Sequence, residues 1–251
     1  MPFTAKSGKF NASINTVEFG TGDKAVKIGG ENVFPLYSFD AAIENAPKVG
    51  IEITDFGMEH EPECIKKYYE GCATLADMAR KAASMEGVDF LSFRMEGGDP
   101  NGANKSTEEL IGELKEIADA VDLPLVVCGC KNVEKDAELF SKAAEALNGK
   151  NAVILSAKEE NYKTVGAAAG LAYKQVVGAE SAVDINLAKQ LNVLISQLGV
   201  DSKSVVMNVG TAAVGYGFEY VISTMDRVKA AALQQGDANL QMPIITPVAS
   251  E

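Results

Sequence analysis

A chain of 251 residues with 47% hydrophobic and 23% charged side chains is long enough to bury its own core and too apolar for wholesale disorder. A net charge of −12 disfavours nucleic acid or an anionic membrane as partner, because those surfaces are bound through clustered Lys and Arg. No apolar run reaches the ~20 residues of a membrane span, and the opening MPFTAKSGKFNASINTVEF lacks the continuous apolar stretch of a signal peptide, so the expected address is the cytoplasm.

In chain order, residues 12–20 (ASINTVEFG) and 25–30 (AVKIGG) alternate around Thr21-Gly22-Asp23, the pattern of a β-hairpin. The hairpin is expected to belong to an extension over residues 1–48, packed on a second unit spanning 49–251. That unit begins with the strand VGIEITD at 49–55. Further strands follow as VDFLSFRM (88–95), PLVVCGC (124–130), NAVILSA (151–157), QVVGA (175–179), SVVMNV (204–209) and PIITPV (243–248). Between them lie helical periods with caps: LADMARKAAS, STEELIGELKEIADAV behind a Ser/Thr cap, VEKDAELFSKAAEALNG ending at Asn148-Gly149, NYKTVGAAAGLAYK, DINLAKQLNVLISQLG opening on Asp184, and FEYVISTMDRVKAAALQQG closing on Gly236.

Strand starts recur every 24 to 39 residues or so, the repeat of a β/α unit on a parallel sheet. No strand is followed by G-x-G-x-x-G with an acidic residue about 20 positions on, and polar residues close many strands instead of one switch point. The expected fold class is therefore α/β, a TIM-type (β/α)8 barrel with an N-terminal β-hairpin, apparently truncated after the seventh strand.

The four cysteines are Cys64, Cys72, Cys128 and Cys130, and His60 is the only histidine. Cys128-Gly129-Cys130 sits at the end of a buried-looking strand, where the two thiols are expected to diverge as a poor chelate and to remain ordinary reduced thiols. His60 and Cys64 sit in a charged loop, and no Ser-His-Asp or Cys-His set can be assembled. No catalytic residue and no metal ligand is assigned.

Loops after strands form the working face of such a barrel. The loop MEGGDPNGANKS at 95–106 carries Asp99, Asn101 and Asn104, residues that build turns whether or not they bind anything. After the strand ending at Asn208 comes VGTAAVGYG, with Gly210, Thr211, Ala212, Gly215, Tyr216 and Gly217. It has no cation to balance a phosphate. Small residues bare the backbone while Ala and Val keep the surface apolar, which suits a flat, largely apolar ligand.

Six stretches, in order, resemble one family: GGDPNGANKS (97–106), PLVVCGCKNVEKD (124–136), KEENYK (158–163), DINLAKQLNVLI (184–195), GYGFEY (215–220) and MPIITPV (242–248). The family is the small subunit of the corrinoid iron–sulfur protein, also called the delta subunit of the acetyl-CoA synthase/decarbonylase complex. The resemblance implies a TIM barrel paired with a large subunit that carries a [4Fe–4S] cluster and a cobalamin domain, with no cluster in the barrel itself. It further implies that the heterodimer accepts a methyl group from a methyltetrahydropterin-dependent methyltransferase and delivers it to acetyl-CoA synthase, in the Wood–Ljungdahl pathway.

On that implication Asn208, residues 210–217 and the Asp99/Asn101/Asn104 loop are expected to cap the corrin, and the chain alone is not catalytic. Two alternatives stand beside it: a pterin-binding barrel that transfers methyl itself, reading the pterin with Asp55, Asp99, Asn101 and Asn208, or a purely structural scaffold. Family members continue through an eighth β/α unit of roughly 60 residues.

Overall fold

The structure is a computed structural model that describes Gly8 and residues 10–34 and 40–250; the rest of the 1–48 extension lies outside these residues. The hairpin forms as expected, with β1 (Val17–Phe19) antiparallel to β2 (Val26–Ile28). Among the described residues six parallel strands follow in sequential order: β3 (Gly50–Thr54), β4 (Phe90–Arg94), β5 (Leu125–Cys128), β6 (Val153–Ala157), β7 (Val176–Glu180) and β8 (Val205–Asn208). The expected seventh strand contributes only a bridge between Ile244 and Met207, flanked by Met207 N–H to Pro243 C=O at 2.8 Å and Ile245 N–H to Met207 C=O at 2.9 Å. Each sequential neighbour is reached through a crossover, which makes this an α/β protein compatible with a TIM-like fold.

Period-two alternation sends the two faces of the sheet into two cores. Leu91, Phe93, Leu125, Val127, Ile154, Val177, Val205 and Met207 pack beneath the helices. Their neighbours Val126, Cys128, Val153, Leu155, Val176 and Val206 form a second cluster with Val17, Phe19 and Val26 of the hairpin. Phe90 of β4 and Ile245 beyond β8 pack against that second cluster as well.

The hairpin covers the N-terminal ends of the strands. Gly20 N–H donates to Asn151 C=O at 2.7 Å, Asn151 Nδ2 donates to Glu18 C=O at 3.0 Å, and Phe19 meets Phe90 edge-on at 5.6 Å. Gly20 has φ +83°, and a Cβ there would collide with Pro124, so only glycine fits this close approach. The Lys229–Glu31 ion pair ties the same N-terminal segment to the last long helix.

Among the described residues seven α-helices cover the outer face: α1 (Glu63–Tyr68), α2 (Leu75–Ala83), α3 (Thr107–Ala120), α4 (Val133–Ala146), α5 (Tyr162–Val165), α6 (Ile185–Gln197) and α7 (Phe218–Gln234). The caps read from the sequence are in place: Ser106 accepts from Glu109 N–H at 3.2 Å and Asp184 accepts from Asn186 N–H at 2.8 Å. Asn132 likewise accepts from Lys135 N–H at 3.0 Å. α3 buries Leu110, Ile111, Leu114, Ile117 and Ala118, the single stripe that a 3.6-residue period presents to a sheet.

Two differences from the sequence expectation stand out. α1 places Cys64 on a short helix instead of a loop. The expected helix over NYKTVGAAAGLAYK is four α-helical residues followed by a π-helical segment, Gly166–Ala172. Gly166 faces Leu198 and Gly170 faces Val200 closely enough that a Cβ would press on each, so small residues here exchange regular winding for close packing. No helix among the described residues is long and apolar enough to cross a membrane.

Candidate functional site

Polar side chains collect at the opposite end from the hairpin, where β3 to β8 finish. Arg94 at the end of β4 donates from Nε to Glu52 Oε1 at 2.7 Å and from Nη2 to Oε2 at 2.9 Å, a bidentate pair whose side chains are each 8% exposed. Ser92 Oγ donates to the same carboxylate at 3.2 Å and lies 3.5 Å from Cys128 Sγ. Burial alone would lower the Arg94 pKa, but the hydrogen bond and charge of Glu52 outweigh it and hold the guanidinium above its ordinary value.

A second chain of contacts joins the last three strands. Asn208 Nδ2 donates to Ser156 Oγ at 2.9 Å and to Glu180 Oε2 at 3.4 Å, and Lys158 Nζ pairs with Glu180 Oε1 at 3.3 Å. The Asn208 Oδ1 accepts from Gly210 N–H at 3.0 Å, so the amide fixes the first residues of the loop beyond β8. These groups, with Arg94, Lys131, Asp136 and Thr211, line a cavity of about 290 Å³.

Asp136 reaches this wall from the first turn of α4 and accepts from Cys130 N–H at 2.7 Å. Burial pushes its carboxyl above the ordinary range despite that bond. A raised folded-state pKa means that ionisation opposes folding: nothing is lost below the unfolded value near 3.9, and the penalty grows as pH rises through the folded value. Asp136→Asn keeps the acceptor for Cys130 and removes the charge. Chemical denaturation across pH should show this variant gaining stability over the parent at neutral pH, with the gain vanishing below about pH 4; a gain independent of pH would refute the assignment.

Of the sequence-expected residues, Asn208 is buried and, with Gly210 and Thr211, belongs to the cavity wall. Ala212 is half-buried, while Gly215 and Tyr216 are exposed, and Gly217, at φ +116°, turns the chain into α7. Asp99, Asn101 and Asn104 do not line the cavity. Asp99 Oδ1 accepts from Asn101 N–H at 2.9 Å and from its Nδ2 at 3.2 Å, while Asn104, at φ +51°, donates N–H to Asp99 C=O at 3.1 Å. The structure thus shows them building their own turn.

Asp55 has no exposed side-chain surface. Its carboxylate accepts from Gly97 N–H at 2.9 and 3.1 Å and pairs with Lys105 Nζ at 3.0 Å. Asp55, Asp99 and Asn101 are thus engaged in and around the loop after β4, and only Asn208 of the four lines the cavity. Glu52, Ser92, Arg94, Ser156, Asp136 and Glu180 were missed by the sequence reading, although a charged residue inside an apolar strand, as in VGIEITD or FLSFRM, is the signal that marks such positions.

The thiols do diverge: Cys128 joins the hairpin-side core and Cys130 the helix-side core. Burial pushes Cys128 up to about 11 and Cys130 up to about 12, so neither offers a thiolate near neutrality. Under native conditions a disulfide reagent should modify exposed Cys64 quickly and half-buried Cys72 more slowly. Cys128 and Cys130 should react only after denaturation; rapid titration of all four would contradict the burial.

A parallel sheet with capping helices, sealed at its N-terminal end and polar at its C-terminal end, defines an α/β protein whose loops after the strands form the working face. Comparison with known proteins gives the class a family. The chain belongs to the CO dehydrogenase/acetyl-CoA synthase delta subunit family, which matches residues 16–250.

It is 33% identical over 238 residues to the acetyl-CoA decarbonylase/synthase complex subunit delta of Methanothermobacter thermautotrophicus, covering 94% of this chain and 60% of that protein. The subunit delta of Methanopyrus kandleri is 34% identical over 227 residues, covering 90% of this chain and 56% of that protein. The chain thus spans somewhat over half the length of these relatives. A solved mandelate racemase/muconate lactonizing protein from Herpetosiphon aurantiacus aligns with a TM-score of 0.40 at 15% identity, over 78% of this chain and 53% of that one.

Proposed function

We propose that this chain is the barrel-forming small subunit of a cytoplasmic corrinoid protein, whose sheet closes as a TIM-type barrel and whose strand-end loops cap a corrin presented by a larger subunit. The larger partner carries the cobalamin and the iron–sulfur cluster. The pair takes a methyl group from a methyltetrahydropterin-dependent methyltransferase and passes it to acetyl-CoA synthase. The observation that supports this reading is the loop beyond β8, where Val214 and Tyr216 are 83% and 89% exposed among small residues.

The loop's chemistry fits one face of a flat macrocycle. Residues 209–217 contain no histidine, cysteine or carboxylate, so they offer apolar contact without competing for the metal. Cobalamin, when bound, supplies the methyl-carrying centre. The chain's own part is to exclude water and hold the ring's orientation: Asn208 anchors the start of the loop through Gly210 N–H, and Ala212 and Gly215 keep its surface low.

The test uses the reconstituted dimer with its cobalamin-bearing subunit. Ala212→Leu raises that surface, and methyl transfer should slow by about tenfold, roughly 1.4 kcal/mol of barrier, with melting temperature held within a few degrees. Gly215→Val should act in the same direction with added backbone strain, because Gly215 sits at φ +84°. Transfer rates equal to the parent's in both variants would refute the cap.

A further inference from the structure

The cavity at the polar end of the sheet has hydrogen-bonding groups left over, and they are of one kind. Its acceptors are engaged. Glu180 holds Asn208 Nδ2 on one oxygen and Lys158 Nζ on the other, Glu52 takes two nitrogens of Arg94, and Asp136 accepts from Cys130 N–H. Asn208 is occupied as well, by Ser156, Glu180 and the Gly210 amide.

Donors remain. Arg94 uses Nε and Nη2 on Glu52; its Nη1 has no partner among the described residues and is not sealed from solvent, so it opens into the cavity that Arg94 lines. The Thr211 hydroxyl has no partner among the described residues, and the Ser156 hydroxyl accepts from Asn208 while keeping its own proton to give. Lys131 completes the set. It lines the same cavity and is exposed and, unlike Arg94 and Lys158, it pairs with no carboxylate among the described residues.

Surplus donors call for a ligand that only accepts, and one unpaired ammonium calls for a single negative charge. A neutral amide or alcohol would bring donors to walls whose acceptors are already taken. A dianion would bring one charge more than the free cation balances. Phe140, Leu155 and Val183 also line the space of about 290 Å³, which gives a short hydrocarbon chain a surface to cover. We propose that this cavity binds a short aliphatic carboxylate, with Lys131 as its counter-ion and Arg94 Nη1 and the Thr211 hydroxyl as further donors. The proposal is independent of what rests on the 210–217 loop.

The experiment titrates the full chain with sodium propionate at constant ionic strength, made up with sodium chloride, and follows backbone amide shifts by NMR. Amides of Gly129, Lys131 and Thr211 should shift together and saturate with a Kd on the order of millimolar, as befits so small a ligand. Propionamide, the neutral isostere, should bind about tenfold more weakly, and Lys131→Gln should weaken propionate by a similar factor. Lys142→Gln, which removes an exposed lysine of α4, should leave the affinity unchanged, and thermal melts without probe confirm that both variants are folded. Shifts that do not saturate, or that scatter over surface lysines, overturn the site. Equal binding of propionamide and propionate, or an unchanged affinity in Lys131→Gln, overturns the counter-ion. Inorganic phosphate binding more tightly than propionate at pH 7.5 overturns the carboxylate assignment.

Discussion

Arg94→Met is expected to cost the fold about 3–5 kcal/mol, because it leaves the Glu52 carboxylate buried without the cation it was buried with. Removing both charges, as Glu52→Leu with Arg94→Met, should restore most of that loss. A double-mutant cycle by urea denaturation measures the coupling directly. The pair joins β3 to β4 at the polar end of the sheet, and Ser92 adds a further donor to Glu52. A single-mutant loss below about 1 kcal/mol, the level of an exposed pair, would show that solvent reaches this site more freely than its 8% exposure implies.

The second large effect concerns the loop after β4. Asp55 holds it from below by accepting Gly97 N–H and by pairing with Lys105, whose Nζ also donates to Asp55 C=O at 2.9 Å and to Glu113 Oε1 at 3.2 Å. Asp55→Ala should cost about 3 kcal/mol, combining an orphaned buried amide with the lost partner of a half-buried ammonium. Gly97→Ala tests the same contact from the other side, because a Cβ there would run into the Asp55 carboxylate. Hydrogen exchange is the sharper readout. Amides of residues 97–105 should lose protection in both variants while β5 to β8 keep theirs; unchanged protection would mean that the Asp99 turn holds the loop unaided.

Much of the scaffold was legible because it rests on local rules. Short apolar runs between helical periods marked β3 to β8, and Ser106 and Asp184 marked the starts of α3 and α6. The position of Asn208 at a strand end, ahead of a loop of small residues, followed from the same reading. The cavity was less legible because its residues are distant in sequence. Glu52 and Arg94 are 42 positions apart, and Asn208 and Ser156 are 52 apart. Pairing such residues needs the register between strands, which local pattern does not supply. Asp99 and Asn101 illustrate the converse: their turn chemistry was visible in the sequence, and in the folded protein it is satisfied within the turn.

The hairpin that seals the N-terminal end of the sheet sets an order of events during synthesis. Its Gly20 amide finds its acceptor on Asn151, 131 residues later, and Asn15 N–H donates to Gln241 C=O at 2.6 Å, later still. At about 5–20 residues per second, the ribosome needs on the order of 7–26 s to cover the first of those gaps. During that interval Val17, Phe19 and Val26, all buried in the finished protein, have no core to enter. This apolar surface thus emerges well before the strands that cover it have been made.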